Sequence, residues 1–195
     1  SGSINGMVYT RGDKHDYAQW PQGWQWDDNL PFFKKLEDRL GIQTKEPTVL
    51  TEKILGAAEM TGFMRKNELN DGELCGYFGY NTLNNVNGRR SSYVAFLKES
   101  NSQNIRVETE AKLEKVNFKG KRAVSISYKQ NGISHAAECN KEVIFCAGTL
   151  ETPKLLMLSG LGPADQLAKF GLPIVQDIPS IGRNLQDHTC VNILF

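Results

Sequence analysis

The sequence predicts a chain of the α/β class, in which helices and strands are mixed. Before residue 65, two segments place apolar residues at helical spacing. Between residues 104 and 146, short runs instead alternate apolar and polar residues, as half-buried strands do. A stretch over residues 142–148, whose apolar core is unbroken, then leads directly into a helix, which is the strand–turn–helix order of α/β folds.

The first half of the chain is predicted to be mainly helical. After an aromatic loop over residues 1–26, a helix begins at Asp27 or Asp28, runs to Leu40 and ends at Gly41. A second helix is expected over residues 51–64, a strand over 77–83 and a short helix over 91–98. The residues expected to be buried are Leu30, Phe33, Leu36 and Leu40 in the first helix and Ile54, Leu55, Ala58 and Met60 in the second.

The second half begins with short strands. Strands are expected over residues 105–107, 112–118, 123–128 and 134–138, although residues 112–118 alternate only imperfectly. Asn131-Gly132 is a strong hairpin signal between the last two strands.

The strand over residues 142–148 has an unbroken apolar core, which is typical of a strand covered on both faces. Cys146 is expected to be a small buried side chain within it. Thr152-Pro153 then opens a helix that Ser159-Gly160 ends, and Pro163 starts another that Gly171 ends. Residues 172–190 are expected to be extended loop.

Charge and composition argue against several functions. The 23 basic and 22 acidic residues give a net charge of +1, and no basic block stands out, so nucleic acid is not an expected partner. No apolar run is long enough to be a transmembrane segment. Four cysteines without a CxxC pair and three histidines give no metal-ligand cluster. His15 and His135 are expected at the surface, and His188 is interpreted as a structural residue.

The end of the apolar strand is the first candidate binding site. Ligands of open α/β sheets lie beyond the carboxyl ends of strands, where helix N-termini attract phosphate. Gly148 stands at such an end and would let a dinucleotide approach the backbone closely. A tight packing turn without a ligand explains the same residues, and both interpretations remain open at this point.

Several stretches resemble the glucose–methanol–choline (GMC) oxidoreductase family. Residues 148–162, Gly-Thr-Leu-Glu-Thr-Pro-Lys-Leu-Leu-Met-Leu-Ser-Gly-Leu-Gly, fit its second signature at every constrained position. Residues 2–12 fit the tail of its first signature, and residues 177–188 resemble its loop returning toward the flavin. Residues 88–97 also resemble the family. The resemblance covers nearly the whole chain in the family's order and is closest to its alcohol, glucose and choline dehydrogenase branch.

The resemblance implies part of an FAD-binding, Rossmann-like domain with a β-meander and inserted helices, within a two-domain GMC fold. Residues 1–195 would form the N-terminal FAD-binding region, incomplete at both ends. Residues 27–100 would be a helical insertion on the substrate side. Residues 104–162 would supply the meander and the strand–turn–helix of the FAD domain.

The resemblance also implies which residues bind the cofactor, FAD. Asn5, Gly6, Met7 and Val8 match the segment along the flavin and its pyrophosphate, and Leu113 matches the position whose backbone meets the adenine. Ala147 and Gly148 match the strand end beside the dinucleotide. The turns at Asn5 and Gly148 are therefore expected to converge on one cofactor. A plain turn at residues 5–6 and an ordinary strand residue at 113 are the simpler alternatives, and they remain open.

The implied reaction is oxidation of the CH–OH group of a small-molecule alcohol, sugar or choline-like donor. In the family, a histidine takes the hydroxyl proton, hydride passes to flavin N5, and oxygen or a quinone-like acceptor reoxidises the flavin. The GxGxxG opening and the catalytic pair are missing from this sequence, so no catalytic residue is assigned and the chain alone is expected to be inactive. The alternatives are a non-catalytic flavin-binding pseudoenzyme, a nicotinamide-dependent dehydrogenase and an interaction module.

Overall fold

The computed structural model describes residues 4–44, 46–84, 88, 90–98, 100 and 103–189. Gly2, Ser3 and Arg89 of the family motifs, and Cys190, lie outside these residues. The chain divides after residue 102 into two compact units. The boundaries of the predicted helical insertion and of the FAD-domain segment stay predictions.

The first unit combines helices with short strands. Its order is β1 (Val8–Tyr9), α1 (Lys14–Tyr17), α2 (Trp26–Leu40), β2 (Gln43–Thr44), α3 (Val49–Met60), β3 (Met64–Lys66), β4 (Tyr77–Gly79), β5 (Thr82–Leu83) and a π-helix (Tyr93–Lys98). Strand β5 lies between β1 and β2 in an antiparallel sheet, and β3 pairs in parallel with β4. The strand predicted over residues 77–83 is thus two short strands in separate sheets.

Helix α2 confirms the predicted helix, with a correction at its start. It begins at Trp26, and the backbone N–H of Gln25, the N-cap residue, donates to Asp28 Oδ2 at 3.0 Å. The prediction that Asp27 or Asp28 is the cap was therefore wrong, because Asp28 accepts this bond from within the first turn. Gly41 ends the helix in the left-handed conformation, with φ of +62°, as predicted. The four predicted apolar positions are all half-buried.

Helix α3 is shorter than predicted and buries fewer residues. Thr48 caps it by accepting the N–H of Thr51 at 3.1 Å, and it ends at Met60. Gly62, with φ of +91°, turns the chain, so Met64 belongs to β3 instead of the helix. Leu55 is buried, but Ile54 and Met60 are 45% and 91% exposed, which contradicts their predicted burial.

The second unit contains the predicted meander. Its elements are β6 (Ala111–Lys119), β7 (Arg122–Gln130), β8 (Ile133–Glu138), α4 (Gly148–Leu158), β9 (Leu161–Gly162), α5 (Ala164–Lys169) and β10 (Gln176–Asp177). Strands β6, β7 and β8 form an antiparallel sheet in that order, and Asn131-Gly132 makes the predicted hairpin turn with φ of +51° and +81°. The strand predicted over residues 105–107 does not form, and its apolar residues are exposed.

The imperfect alternation in β6 has a structural cause. The register between β6 and β7 shifts twice, once between Leu113 and Lys115 and once between Asn117 and Phe118. The first shift leaves Glu114 without a residue opposite it in the β7 register, and the second leaves Val124 without one in the β6 register. Because the extra residues lie on opposite strands, the shifts cancel, and both ends of the hairpin keep a common register.

The prediction of a strand over residues 142–148 was wrong for the structure described. Residues 141–146 pair with no strand among the described residues, Ile144 is 74% exposed and Cys146 is exposed. An apolar run becomes a buried strand only where neighbouring strands pair with it and helices cover it. No described strand pairs with this run, although Val143 and Phe145 are half-buried.

The following helices differ from the prediction only in detail. Helix α4 begins at Gly148, before the predicted Thr152-Pro153, so that Pro153 lies within it. Helix α5 begins directly after Pro163, and the chain leaves it at Gly171, as predicted. Residues 172–190 were expected to be loop, but β10 pairs there in parallel with β9. Val116, Leu155 and Leu167 form the buried core of this unit.

Candidate functional site

The predicted flavin-side turn is exposed, and hydrogen bonds fix its backbone. Asn5 Oδ1 accepts the backbone N–H of Met7 at 3.0 Å, and Met7 has φ of +66°. A side chain other than glycine adopts this left-handed conformation only where its surroundings hold it there. Asn5 and Gly6 are exposed, and a Cβ built on Gly6 would meet no atom within 4 Å. The turn therefore offers open, ordered backbone to a ligand.

Strand β1 carries the turn into the first unit. Val8 is 57% exposed and pairs with Leu83 of β5. Directly after β5, the N–H of Asn84 donates to Met7 O at 3.1 Å. The side-chain oxygen of Asn84 is buried and accepts no hydrogen bond from the described residues. Sequence reasoning missed Asn84, because its place beside Met7 depends on strand pairing between distant segments.

A half-buried ionic network fixes the far end of the same strand. The Arg11 guanidinium contacts the Glu37 carboxylate on α2 through two bonds of 2.5 Å, from Nε and Nη2. The side chains of this pair are only 12% and 16% exposed. The Arg11 N–H also donates to Asn70 Oδ1 at 2.8 Å. Helix α2 and the loop at Asn70 thus fix the position of Arg11, which lies four residues after Met7.

The charges of this network shift the pKa values of two of its members. The hydrogen bonds from Arg11 lower the pKa of Glu37 below its usual value. Burial raises the pKa of Tyr9, whose hydroxyl donates to Glu37 Oε1 at 2.9 Å. Glu37 is therefore ionised and Tyr9 neutral near pH 7, and the network serves to hold β1 in place.

The predicted adenine and strand-end residues lie in the second unit. Leu113 is half-buried on β6, opposite Tyr128, and next to the bulge at Glu114. Ala147 and Gly148 are exposed at the N-terminus of α4, where the Ala147 N–H donates to Thr152 Oγ1 at 3.2 Å. Gly148 has φ of +92°, and a Cβ built there would meet no atom within 4 Å. The amino end of α4 is thus open for the close approach of a ligand.

A groove runs beside the same helix. Its volume is about 510 Å³, and α4 and the loop that follows residue 181 line it. The lining residues are Thr149, Leu150, Pro153, Lys154, Met157 and Gly182–Gln186. The loop that resembles the family's flavin-side loop therefore lies against the helix that begins at Gly148. His188 is exposed at the end of this loop, and His15 and His135 are exposed as predicted.

The predicted cofactor residues fall into two groups. Asn5, Gly6 and Met7 form the turn, and Val8 begins β1, in the first unit. Leu113, Ala147 and Gly148 belong to the second unit. The expectation that both groups meet on a single cofactor stays a prediction.

The described part of the chain shows neither a metal-ligand cluster nor a membrane-spanning helix. Within it, no three side chains of His, Cys, Asp or Glu lie close enough together to hold a metal ion. No helix in these ranges has the length and apolar character needed to cross a bilayer.

Comparison with known families agrees with the resemblance seen in the sequence. Residues 1–190 match the family described as GMC oxidoreductase, and the chain belongs to that family. Human mitochondrial choline dehydrogenase is 37% identical, with 96% of this chain and 35% of that protein covered. An oxygen-dependent choline dehydrogenase of Escherichia coli is 34% identical, with 96% and 38% covered. The chain thus spans little more than a third of the length of these relatives.

Solved structures confirm the fold class. Pyridoxine 4-oxidase from Mesorbium loti superposes with a TM-score of 0.84 at 28% identity, over 96% of this chain and 41% of that one. An FAD-dependent oxidoreductase from Chaetomium thermophilum gives a TM-score of 0.81 at 26% identity, over 95% and 38%. The chain has the fold of part of an N-terminal FAD-binding domain, and these matches support the prediction of FAD as the cofactor.

Proposed function

We propose that the full-length protein containing this chain is an FAD-dependent oxidoreductase that oxidises the CH–OH group of a small-molecule alcohol. The observation that carries the proposal is the family match over residues 1–190. The choline dehydrogenases among its relatives favour an alcohol, sugar or choline-like donor. FAD, when bound, supplies the hydride acceptor at its N5 atom. The final electron acceptor is oxygen or a quinone-like molecule.

The flavin-side turn supports the proposal by its fit to a flat, polar ligand. Gly6 leaves the space above the backbone open, while Asn5 and Arg11 fix the chain on either side of it. The buried oxygen of Asn84, next to Met7, is an acceptor for which the described residues supply no donor. Flavins carry an N–H donor on the isoalloxazine ring, so these residues suit that ring.

The second unit supports the proposal because its residues suit the adenine and diphosphate half of FAD. The N-terminal end of a helix carries a partial positive charge and free N–H groups, which favour a diphosphate. Helix α4 has eleven residues, and its first residue, Gly148, leaves the approach to this end open. We assign the backbone of Leu113 to the adenine and Ala147 and Gly148 to the dinucleotide. The contribution of this chain is binding and orientation, and the proton acceptor is assigned to none of its residues.

The proposal is tested on the purified full-length protein. We expect flavin absorption in the blue, and we expect an alcohol from a panel that includes choline to bleach it without oxygen. Addition of NAD⁺ in place of oxygen should not restore the colour. Protein without flavin would contradict the proposal. Bound flavin that no alcohol reduces would instead identify a non-catalytic flavin-binding protein.

A further inference from the structure

The end of helix α4 forms a buried junction with the edge of the meander. Ser159, which follows the helix, is only 4% exposed. Its hydroxyl donates to Leu155 O at 2.6 Å and accepts the backbone N–H of Val116 at 2.8 Å. This one side chain therefore joins the carboxyl end of α4 to strand β6.

The bond to Val116 satisfies an amide that the sheet cannot satisfy. Strand β6 lies at the edge of the sheet, so alternate N–H groups point away from β7. An edge amide usually bonds to water, but Val116 is only 3% exposed. Without Ser159, this buried N–H would have no acceptor among the contacts described, which is an unfavourable state.

The residues after Ser159 bind a third segment to the same junction. A Cβ on Gly160 would lie 2.7 Å from Pro173 O, so only glycine fits there. Gly160 O accepts the N–H of Val175 at 2.8 Å, and Gly162 O accepts that of Ile178 at 2.9 Å. The chain after Ile178 leads into the loop that lines the groove beside α4. Residues 159–162 therefore fix α4, β6 and this loop relative to one another.

The junction also connects the two elements that carry the predicted FAD-binding residues Leu113 and Gly148. Leu113 lies three residues before Val116 on β6, and Gly148 begins the helix that Ser159 follows. A helix is a rigid spacer of about 1.5 Å per residue, so a shift at its carboxyl end moves its amino end as well. The bulge at Glu114, immediately after Leu113, interrupts the regular pairing of β6 with β7. The position of Leu113 therefore depends also on the contacts that β6 makes at Val116.

We propose that Ser159 is a positioning residue for the adenine and diphosphate half of FAD, acting by holding Leu113 and Gly148 at a fixed separation. The inference rests on the proposed function, since it requires that the protein bind FAD. Ser159 is buried within the junction, and in this proposal it acts without touching the cofactor.

The test compares two serine-to-alanine variants of the full-length protein. Ser159→Ala removes both hydrogen bonds of the Ser159 hydroxyl, whereas Ser127→Ala removes a hydrogen bond of 2.9 Å from Asn117 within the same sheet. The probe is ADP, which carries the adenine and the diphosphate but no flavin, and its affinity for the apoprotein is measured well below the melting temperature. If the displaced Leu113 or Gly148 costs ADP the equivalent of one hydrogen bond, the ADP dissociation constant should rise about tenfold in Ser159→Ala and change less than about twofold in Ser127→Ala.

A second, milder variant keeps the test informative if Ser159→Ala fails to fold. Ser159→Cys is nearly isosteric but offers a weaker acceptor, so a smaller loss of ADP affinity is expected. An ADP dissociation constant equal to the wild-type value in both Ser159 variants would overturn the inference, even if the melting temperature fell. A wild-type protein that binds no FAD would overturn the proposed function instead.

Discussion

Two glycines among the predicted cofactor residues have different physical explanations. Gly148 has φ of +92°, a conformation that side chains with a Cβ rarely adopt, so the fold itself requires glycine there. Gly6 has no such positive φ, and a Cβ on it would meet nothing within 4 Å. The described fold therefore gives no reason for glycine at position 6, and a ligand that approaches the backbone closely would give one.

This difference leads to a prediction for Gly6→Ala. The added methyl group strains no backbone angle and contacts no atom of the protein, so the free energy of unfolding of the apoprotein should change by less than about 0.5 kcal/mol. If FAD lies against this turn, the same methyl group blocks its approach, and the FAD dissociation constant should rise at least about tenfold. Denaturant unfolding and FAD titration of the apoprotein measure the two quantities.

The control for this prediction is Gly56→Ala. Gly56 also has no positive φ and open space around its Cβ position, but it lies inside α3. Alanine there should stabilise the protein by about 0.5–1 kcal/mol through helix propensity and leave FAD binding unchanged. Equal FAD affinity in Gly6→Ala and the wild type would remove residues 5–8 from the flavin site.

At the level of single residues, the sequence predicted what depends on neighbours in the chain. Asn5-Gly6 predicted a turn, and Asn131-Gly132 predicted a hairpin, because both depend on local backbone conformation. The sequence did not predict that Asn84 lies beside Met7, since that contact requires the pairing of β1 with β5. It also did not predict the role of Ser159, whose partner Val116 lies 43 residues away.

Among the elements, Arg11, two residues after β1, links the chain there to Glu37 on α2. Arg11 holds the pKa of Glu37 below its usual value, so ionised Glu37 is more stable in the folded than in the unfolded protein. This contribution to stability is complete above the unfolded-state value of 4.5 and is lost as the pH falls through the lower folded-state pKa.

Glu37→Gln should therefore show a pH-dependent loss of stability. Near pH 7, the free energy of unfolding should fall by roughly 1–2 kcal/mol, because a half-buried, charge-assisted hydrogen-bond pair is weakened. The difference from the wild type should narrow as the pH falls from 4.5 through the lower folded-state pKa, because Glu37 is protonated first in the unfolded and then in the folded wild-type protein. Urea unfolding at a series of pH values measures this difference.

The matched control is the exposed Lys14–Glu73 pair. Its N–O distance of 2.6 Å is nearly as short as the 2.5 Å of Arg11–Glu37, but its side chains are 43% and 49% exposed. Water and salt screen such a pair, so Glu73→Gln should cost much less stability than Glu37→Gln. Similar losses in both variants would mean that the Arg11–Glu37 pair does no more than an ordinary surface pair.

The helices and the strands differed in how well the sequence predicted them. The end of α2 at Gly41 and the start of α5 after Pro163 follow from local capping preferences, and both predictions were right. The strands predicted over residues 105–107 and 142–148 do not form, because a strand exists only where another segment pairs with it. A propensity for extended structure is visible in the sequence, but the presence of a pairing partner is not.

On the scale of the whole molecule, residues 142–146 are the main departure from the prediction. Their apolar sequence is that of a strand covered on both faces, yet no strand of the described ranges pairs with them and Ile144 is 74% exposed. We expect a larger sheet to cover this segment in the full-length protein, as the family's Rossmann-like domain implies. An exposed apolar segment with unpaired backbone groups also promotes association between chains.

Ile144→Lys should consequently have opposite effects in two contexts. In the 195-residue chain expressed alone, it should reduce self-association, which light scattering measures. In the full-length protein, it should lower the melting temperature and the yield of folded protein, because a charge would be buried without a partner. Ile133→Lys, at an exposed position of β8, should change little in either context. A full-length protein that tolerates Ile144→Lys would show that the segment stays uncovered.

The paired bulges of the β6–β7 hairpin constrain how its length can vary among relatives. Loss of Glu114 alone would turn the side chains of Ala111–Leu113 to the opposite face, because one residue of offset reverses the alternation of a strand. Loss of Val124 as well would leave a regular ladder with matched ends. Insertions and deletions at these two sites should thus be inherited together, although ten positions separate them in the chain.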